Sequence, residues 1–408
     1  MKIFHTADWH IGKLLHKENL IEEQREVLFK FLDEIDEKKP DAVIVAGDIY
    51  DTAIPRIEAI DLLDEIINEI ISRDVKLIMI SGNHDSSDRL SFGSRMFRDN
   101  GLFMVTDCEN IENPIVLEDE FGKVNIYPYP FMTVAKGRHK FENSDISSFN
   151  SLADTLIGES KEIMDLNERN IAVYHGFIIK SDNQEKNENE VTCDLSVSDS
   201  ESEDKNRAVE SDSERPLSIG GTDFINSDIF SDFDYTALGH LHGPQRAGND
   251  NIRYSGSLMK YSFSEENQKK GYYEIDLKEK GNMDIKFNEI YPARDIRILE
   301  GTFDELRAGE PSDDYIMIRL HVDDAVYEPK ARLSEVYPNI LHMEIIKKKT
   351  AERKLNLNIR EKLKKKDIMG LFEDFYEDAS EKKFTDDKRE IMKRIAEKIE
   401  SESGSDRE

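Results

Sequence analysis

The first ten residues of the sequence end in Asp8 and His10, two side chains of the types that bind metal ions. Residues 2–7 have the pattern of a short apolar strand, and on an extended backbone residues i and i+2 point the same way. The carboxylate of Asp8 and the imidazole of His10 can therefore converge on one point. A D-x-H triplet alone is weak evidence for a metal site, because it also occurs by chance.

Polar residues of the same types follow four further predicted strands. The strands are the apolar runs 41–46, 75–80, 171–174 and 235–238, and the residues after them are Asp48, Asn83, His84, Asp85, His175, His240 and His242. Ligands of α/β proteins bind outside the carboxyl ends of the strands, so these side chains lie where a site is expected. Flanking glycines at 47, 82, 176, 239 and 243 suit tight turns and close approach to a ligand.

The number of potential ligands indicates more than one ion. Seven side chains offer an oxygen or nitrogen donor: Asp8, His10, Asp48, Asn83, His175, His240 and His242. Two ions that share a bridging carboxylate would use all of them. Mixed oxygen and imidazole ligands without cysteine suit Mn²⁺, iron or Zn²⁺ better than Mg²⁺ or Ca²⁺. The sequence therefore predicts a two-metal site.

The other histidines lack such neighbours and are interpreted as ordinary surface or packed residues: His5, His16, His139, His321 and His342. Asp51 lies three residues after Asp48 and has two interpretations. Its carboxylate could contact the substrate, or it could cap the helix that follows. The sequence does not decide between them.

Helical periodicity separates the predicted strands. Amphipathic helices are predicted over residues 20–38, 56–73, 90–99 and 151–164. Strand-like runs at 102–106, 115–117 and 124–129 indicate a second sheet rather than continued alternation of strand and helix.

Composition limits the class of protein. A chain of 408 residues suggests two or three domains, and its net charge of −30 argues against a uniformly basic surface that coats nucleic acid. That charge does not exclude DNA at a local metal site. Cys108 and Cys193 are the two cysteines, and the sequence has neither an N-terminal signal nor an apolar run near 18 residues. We therefore expect a soluble protein of the reducing cytoplasm, with no membrane association.

Residues 181–214 differ in kind from the rest of the sequence. They contain 12 acidic and 3 basic residues, a net charge of −9, and almost no large apolar side chains. This composition is typical of a mobile surface insertion.

The order of these motifs resembles the calcineurin-like metallophosphoesterases, whose pattern is D-x-H, G-D, G-N-H-D, a single histidine and G-H-x-H. All five blocks are present. Longer stretches are more narrowly similar to the DNA nuclease branch of that family: 6–12, 45–51, 81–85, 239–245 and 254–257. The resemblance covers roughly residues 1–350. The acidic insertion is longer than the family usually carries.

The resemblance implies specific roles for the motif residues. One ion would be held by Asp8, His10, Asp48 and His242, and the other by Asp48, Asn83, His175 and His240, with Mn²⁺ as the favoured metal. His84 would stabilise the phosphate and protonate the leaving oxygen, and Asp85 would orient its other ring nitrogen. A structural hydrogen bond is the alternative role of His84.

The resemblance also implies an architecture. It predicts a four-layered α/β metallophosphoesterase β-sandwich flanked by helices (residues 1–291), a small α+β capping domain (292–349) and a helical C-terminal tail (350–408). The capping domain would lie over DNA. In the tail, apolar residues at helical spacing could pack on the catalytic domain or dock on a coiled-coil ATPase partner, as they do in the family. Helices near 56–73 and 88–99 would form a homodimer within a heterotetramer.

The predicted function is a nuclease acting in DNA end processing, with double-strand exonuclease and single-strand or hairpin endonuclease activities in repair, recombination and replication. Two alternatives remain open. A phosphatase or small-nucleotide phosphodiesterase would share the fold and the metals, and a non-catalytic DNA-end scaffold would keep the pocket without turnover. The presence of every ligand and of His84 argues against the scaffold.

Overall fold

The computed structural model describes residues 1–108, 113–180, 214, 224–322, 326–347, 385, 388–389 and 392. Predictions for the remainder of the acidic segment and for the C-terminal tail lie outside the described residues. The chain divides into two compact units, 1–320 with 327–344 and 321–326 with 345–408. Among the described residues, no helix combines the length and apolar character needed to cross a membrane.

Strands and helices alternate in the first part of the chain, as the sequence predicts. The elements are β1 (Lys2–Thr6), β2 (Leu14–Leu15), β3 (Glu18–Asn19), α1 (Ile21–Lys38), β4 (Ala42–Ala46), α2 (Ile57–Ser72), β5 (Lys76–Ile80), α3 (Ser87–Leu90), α4 (Ser94–Phe97) and β6 (Leu102–Val105). The prediction of one helix over 90–99 is wrong. Helix α3 ends at Leu90, and the range holds only α4 and a 3₁₀ turn at Arg98–Asn100, because Gly93 has a φ of +76° and breaks the helical path.

The middle of the chain forms the elements β7 (Ile115–Asp119), β8 (Gly122–Tyr129), α5 (Val134–Phe141), α6 (Phe149–Lys161), β9 (Arg169–His175), β10 (Ile178–Ile179), β11 (Ile225–Asn226) and β12 (Tyr235–Gly239). Helix α6 is capped by reciprocal hydrogen bonds between Ser148 and Ser151. The sequence does not predict helix α5, since it is only 8 residues long and contains Gly137.

The last described part forms β13 (Gln245–Arg246), β14 (Ile252–Tyr254), β15 (Gly271–Leu277), β16 (Met283–Glu289), β17 (Ile296–Thr302), α7 (Phe303–Arg307), β18 (Tyr315–Val322), α8 (Pro329–Leu333) and β19 (Ile340–Lys347). The sequence predicts a β-α-β unit in the capping region. The structure adds β17 and α7, giving a three-stranded sheet of order β17-β18-β19.

Two six-stranded sheets form the centre of the fold. The first has the order β16-β15-β1-β4-β5-β6 and the second β13-β14-β12-β9-β8-β7. Strands β1, β4, β5 and β6 run parallel, and so do β8, β9, β12 and β14. Strands β7 and β8 belong to the second sheet as predicted, but β6 pairs with β5 and extends the first.

The core lies in three layers between and outside the sheets. Ile44 and Ile171 belong to the buried cluster between the sheets. The neighbouring Val43 packs with α1 and α2, and Ala172 packs with α6. Because side chains alternate along a strand, each sheet therefore buries both faces. The predicted four-layered α/β sandwich is confirmed.

Candidate metal centre

The predicted ligands meet at one edge of the sandwich, where β1, β4, β5, β9 and β12 end. Six of the seven are buried, at 3% exposure or less, and Asn83 is half-buried. The two sheets approach closely here: a Cβ atom on Gly239 would lie 1.9 Å from the carbonyl oxygen of Ala46. Only glycine permits this approach, which brings the loops after β4 and β12 together.

Asp48 lies at the centre of the cluster and faces a different histidine with each carboxylate oxygen. Its Oδ2 atom is 3.6 Å from Nε2 of His10, and its Oδ1 atom is 3.5 Å from Nε2 of His175. The backbone N–H of His84 donates to Oδ1 at 2.9 Å. This geometry suits a carboxylate that bridges two ions.

On one side of Asp48, the donor atoms of Asp8, His10 and His242 lie within 4.8 Å of one another. The Nε2 atoms of His10 and His242 are 3.0 Å apart. The buried Nδ1 atom of His10 has no hydrogen-bond partner in the described structure. Two ring nitrogens at this distance can share one hydrogen bond when the rings are neutral, and their lone pairs can also contact a single cation.

On the other side, Oδ1 of Asn83 lies 2.8 Å from Nε2 of His175 and 3.3 Å from Nδ1 of His240. The Nδ1 atom of His175 donates to the carbonyl of Ala46 at 2.8 Å. Its Nε2 atom therefore carries the lone pair when the ring is neutral. The structure thus brings together all seven predicted ligands, in two groups that share Asp48.

The backbone at this edge is held in an unfavourable conformation. Asp8, His10, Asp48 and His240 have positive φ values of 52°, 43°, 49° and 108°. Residues other than glycine rarely adopt this region, and such strain clusters at functional sites. Gly82 allows the loops to pack, because a Cβ atom there would lie 2.1 Å from Oδ1 of Asp48.

Burial and neighbouring charges shift the pKa values of the histidines and carboxylates in the cluster. Burial lowers the pKa of His10 far below its usual value and that of His240 to about 3, so both rings are neutral, which is the metal-binding form. Burial raises the pKa of the Asp8 carboxyl well above its usual value. Burial would lower the pKa of His175, but Asp48 and Asp8 raise it to about 9. Bound cations would take the place of these protons, so the donor set fits divalent metal ions.

His84 is buried beside the cluster, with its Nε2 atom 3.9 Å from Oδ2 of Asp48. Its Nδ1 atom donates to the carbonyl of Asp51 at 2.8 Å. The role predicted for Asp85, orientation of the His84 ring, is therefore wrong. Both Asp85 oxygens accept backbone N–H groups of Ile49, Tyr50 and Gly82, at 2.9–3.0 Å, so Asp85 ties the two ligand loops together.

Asp51 does not cap the following helix, because α2 begins at Ile57 and its N-cap residue is Arg56. Its carboxylate instead accepts a hydrogen bond from Lys13 at 2.8 Å and lies 3.6 Å from Nδ1 of His10.

Two contacts involve histidines to which the sequence assigns no role. His5 is buried and forms a hydrogen bond with Tyr235. The rings of His16 and His342 stack with their centroids 5.2 Å apart.

Three further residues that hold the site were missed by sequence reasoning. Gln24 on α1 donates to the backbone carbonyls of Trp9 and His10. Glu265 accepts a hydrogen bond from Nδ1 of His242 and forms a buried ion pair with Lys270. Burial would raise the pKa of Glu265, but Lys270 and His242 hold it well below its usual value. No local spacing distinguishes these residues from ordinary polar ones.

Comparison with known proteins gives matches to two families and several relatives. A family model described as calcineurin-like phosphoesterase matches residues 1–244, and one described as type 5 capsule protein repressor C-terminal domain matches residues 292–380. The SbcD subunit of the SbcCD nuclease from Staphylococcus epidermidis is 33% identical over 386 residues, which cover 93% of this chain and 94% of that protein. A crystal structure of a dimetal phosphatase from Danio rerio aligns with 12% identity and a TM-score of 0.37, covering 71% of this chain and 96% of that one.

Proposed function

The chain belongs to the SbcD family of nuclease subunits, within the calcineurin-like phosphoesterases, and we propose that it is a metal-dependent DNA nuclease. The convergence of seven donor side chains, with Asp48 at their centre, carries this proposal, because two-metal sites hydrolyse phosphodiesters without a protein nucleophile. The buried carboxylates and imidazoles of the site fit divalent cations.

In this proposal one ion is held by Asp8, His10, Asp48 and His242, and the other by Asp48, Asn83, His175 and His240. The two oxygens of Asp48, each facing a different histidine, support its role as the bridge. Mixed oxygen and nitrogen donors, together with the family resemblance, favour Mn²⁺.

Two bound cations would bind the phosphodiester, activate water and stabilise the negative charge of the transition state. The remaining step for the protein is proton transfer. His84 donates through Nδ1 to the Asp51 carbonyl, so its Nε2 atom is directed away from that loop and toward Asp48. When the ring is protonated, Nε2 would donate its proton to the leaving sugar oxygen.

The proposed partners follow from the family. The chain would act with an SbcC-type coiled-coil ATPase on DNA ends and hairpins in the cytoplasm, in repair, recombination and replication. Residues 292–349 would form the cap over DNA, and residues 350–408 would bind the ATPase. Two such chains would form the homodimer of a heterotetramer.

A substrate comparison tests the proposed function. The purified chain with Mn²⁺ should cleave end-labelled blunt duplexes and hairpins as well as a chromogenic phosphodiester, with and without the ATPase subunit. Cleavage of the small substrate alone would contradict the proposal and favour a phosphatase or small-nucleotide phosphodiesterase. Binding of DNA without any cleavage would instead favour the scaffold.

A further inference from the structure

His242 is held by a buried ion pair that none of the predicted ligands belongs to. Its Nδ1 atom lies 3.1 Å from Oε1 of Glu265, and Oε2 of Glu265 lies 2.6 Å from Nζ of Lys270. Neither charged side chain exceeds 3% exposure. The carboxylate also accepts the backbone N–H of Tyr261 at 3.2 Å.

Lys270 contacts His242 through the backbone carbonyl of that residue. Its ammonium group donates to the carbonyl of His242 at 2.8 Å, to Oγ of Ser257 at 2.9 Å and to Oε1 of Gln268 at 2.9 Å. Glu265 therefore contacts the ring of His242 while Lys270 contacts its backbone. The ion pair restrains both the position and the rotation of this residue.

The contact with Glu265 also selects the tautomer of His242. An ionised carboxylate can only accept a hydrogen bond, so Nδ1 of the ring carries the proton. The lone pair is then on Nε2, the atom that faces Nε2 of His10 at 3.0 Å. Carboxylates that fix metal-binding histidines in this way commonly contribute to metal affinity.

We propose that Glu265 and Lys270 are positioning residues that hold His242 in the tautomer and orientation needed to bind a divalent cation through Nε2. The inference rests on the proposed function, since it assumes that His242 is a metal ligand. Glu265 and Lys270 lie outside the seven donors, and the proposal gives their ion pair a role in metal binding. Buried ion pairs are costly to desolvate, so their presence does not by itself imply a gain in stability, and we assign this one a positioning role.

The test is Mn²⁺ titration of the metal-free full-length chain, by calorimetry, in wild type and in Glu265→Gln and Glu265→Ala. The amide retains an acceptor but not the charge, so we expect affinity to fall by about 10- to 100-fold in the alanine variant and by less in the glutamine variant. Glu266→Gln is the matched control. It removes a charge from the adjacent residue, which accepts from the backbone of Ile298 and not from His242.

A double variant separates positioning from simple stabilisation. Glu265→Gln with Lys270→Met removes both charges and should recover thermal stability relative to Glu265→Gln, because no unpaired charge remains buried. We expect Mn²⁺ affinity to stay weak. Recovery of affinity together with stability, or wild-type affinity in both Glu265 variants, would overturn the inference. Absence of Mn²⁺ binding by the wild type would instead overturn the proposed function, and this inference with it.

Discussion

The ring of His84 is fixed through Nδ1, which donates to the backbone carbonyl of Asp51. A backbone carbonyl can only accept, so Nδ1 carries a proton, and Nε2 is the ring atom that we propose exchanges a proton with the substrate. The side chain is buried but adjoins Asp48. This position beside Asp48 supports the proposed role of His84 as a proton donor, and its ring also lies within 4.8 Å of donor atoms of His10 and Asp48.

Substitution of His84 by alanine should separate catalysis from metal binding. Because the proton donor is lost while the seven ligands stay, we expect phosphodiester cleavage to fall by about 10²- to 10⁴-fold with metal content unchanged. Initial rates and metal analysis on the same preparation measure both quantities. His139→Ala, on the exposed face of α5, is the control. Unaltered turnover in His84→Ala would refute the proton-donor role.

The ligand types could be predicted from sequence because each lies at or just after the end of an apolar strand, and all except Asp8 and His10 adjoin a glycine. The role of Asp85 could not be predicted from sequence, because the ring of its neighbour His84 donates to the carbonyl of Asp51, 33 positions away, and not to Asp85. Glu265 is separated from His242 by 23 residues. Hydrogen-bond partners of this kind depend on the folded positions of loops, which residue types and spacing do not specify.

At the level of elements, strands β4 and β5 were predictable because both faces are buried and their sequences are continuously apolar. Helices α1 and α2 were predictable from their apolar faces. The assignment of β6 to the second sheet failed because sheet membership depends on pairing between distant strands. Strand β17 has mixed burial and no clear alternation, so its sequence gives little signal.

His5 on β1 makes the stability of the sandwich depend on pH. Burial lowers its pKa from 6.5 to about 3, and the neutral ring bonds to Tyr235 and the carbonyl of Leu238. The unfolded chain takes up a proton below pH 6.5 and the folded chain does not, so this contribution to stability is present above pH 6.5 and is lost as pH falls.

As the pH falls from 6.5 to 5, proton uptake by His5 in the unfolded chain should lower the unfolding free energy by about 2 kcal/mol, at roughly 1.4 kcal/mol per pH unit. Urea unfolding of metal-free wild type and His5→Gln at pH 7 and pH 5 measures this difference. The variant should be less stable at pH 7 but should lose about 2 kcal/mol less on acidification. An equal loss in both proteins would show that His5 does not titrate on unfolding.

At the level of the whole molecule, two segments expose large apolar side chains. Ile57 at the start of α2 is 75% exposed and Phe92 between α3 and α4 is 87% exposed. Others in these segments are Ile54, Ile60, Met96 and Phe97. Apolar surface of this kind commonly marks an interface, which supports the proposed homodimer.

A charged substitution in this surface should prevent association. We expect Phe92→Glu to convert dimers to monomers at micromolar concentration, because a carboxylate would be buried without a partner. Light scattering after size-exclusion chromatography measures the mass. Leu166→Glu, which changes an exposed leucine elsewhere, should leave the dimer intact. A dimeric Phe92→Glu chain, or a monomeric wild type, would count against this interface.

The proposed ATPase contact can be tested by truncation. Deletion of residues 351–408 should abolish co-purification with an SbcC-type ATPase, because it removes the proposed docking helices. Mn²⁺-dependent cleavage by the truncated chain alone should persist, since all seven ligands and His84 remain. Persistence of the complex after the deletion would place the contact elsewhere.

The number of Mn²⁺ ions bound per chain tests the proposed two-metal site without reference to any substrate. Elemental analysis after equilibration and removal of free metal measures it. We expect about two ions in the wild type and in His84→Ala, and fewer than about one in Asp48→Asn, because Asp48 would contact both ions. A wild-type chain that binds only one ion, or an Asp48→Asn chain that keeps two, would contradict the two-metal site.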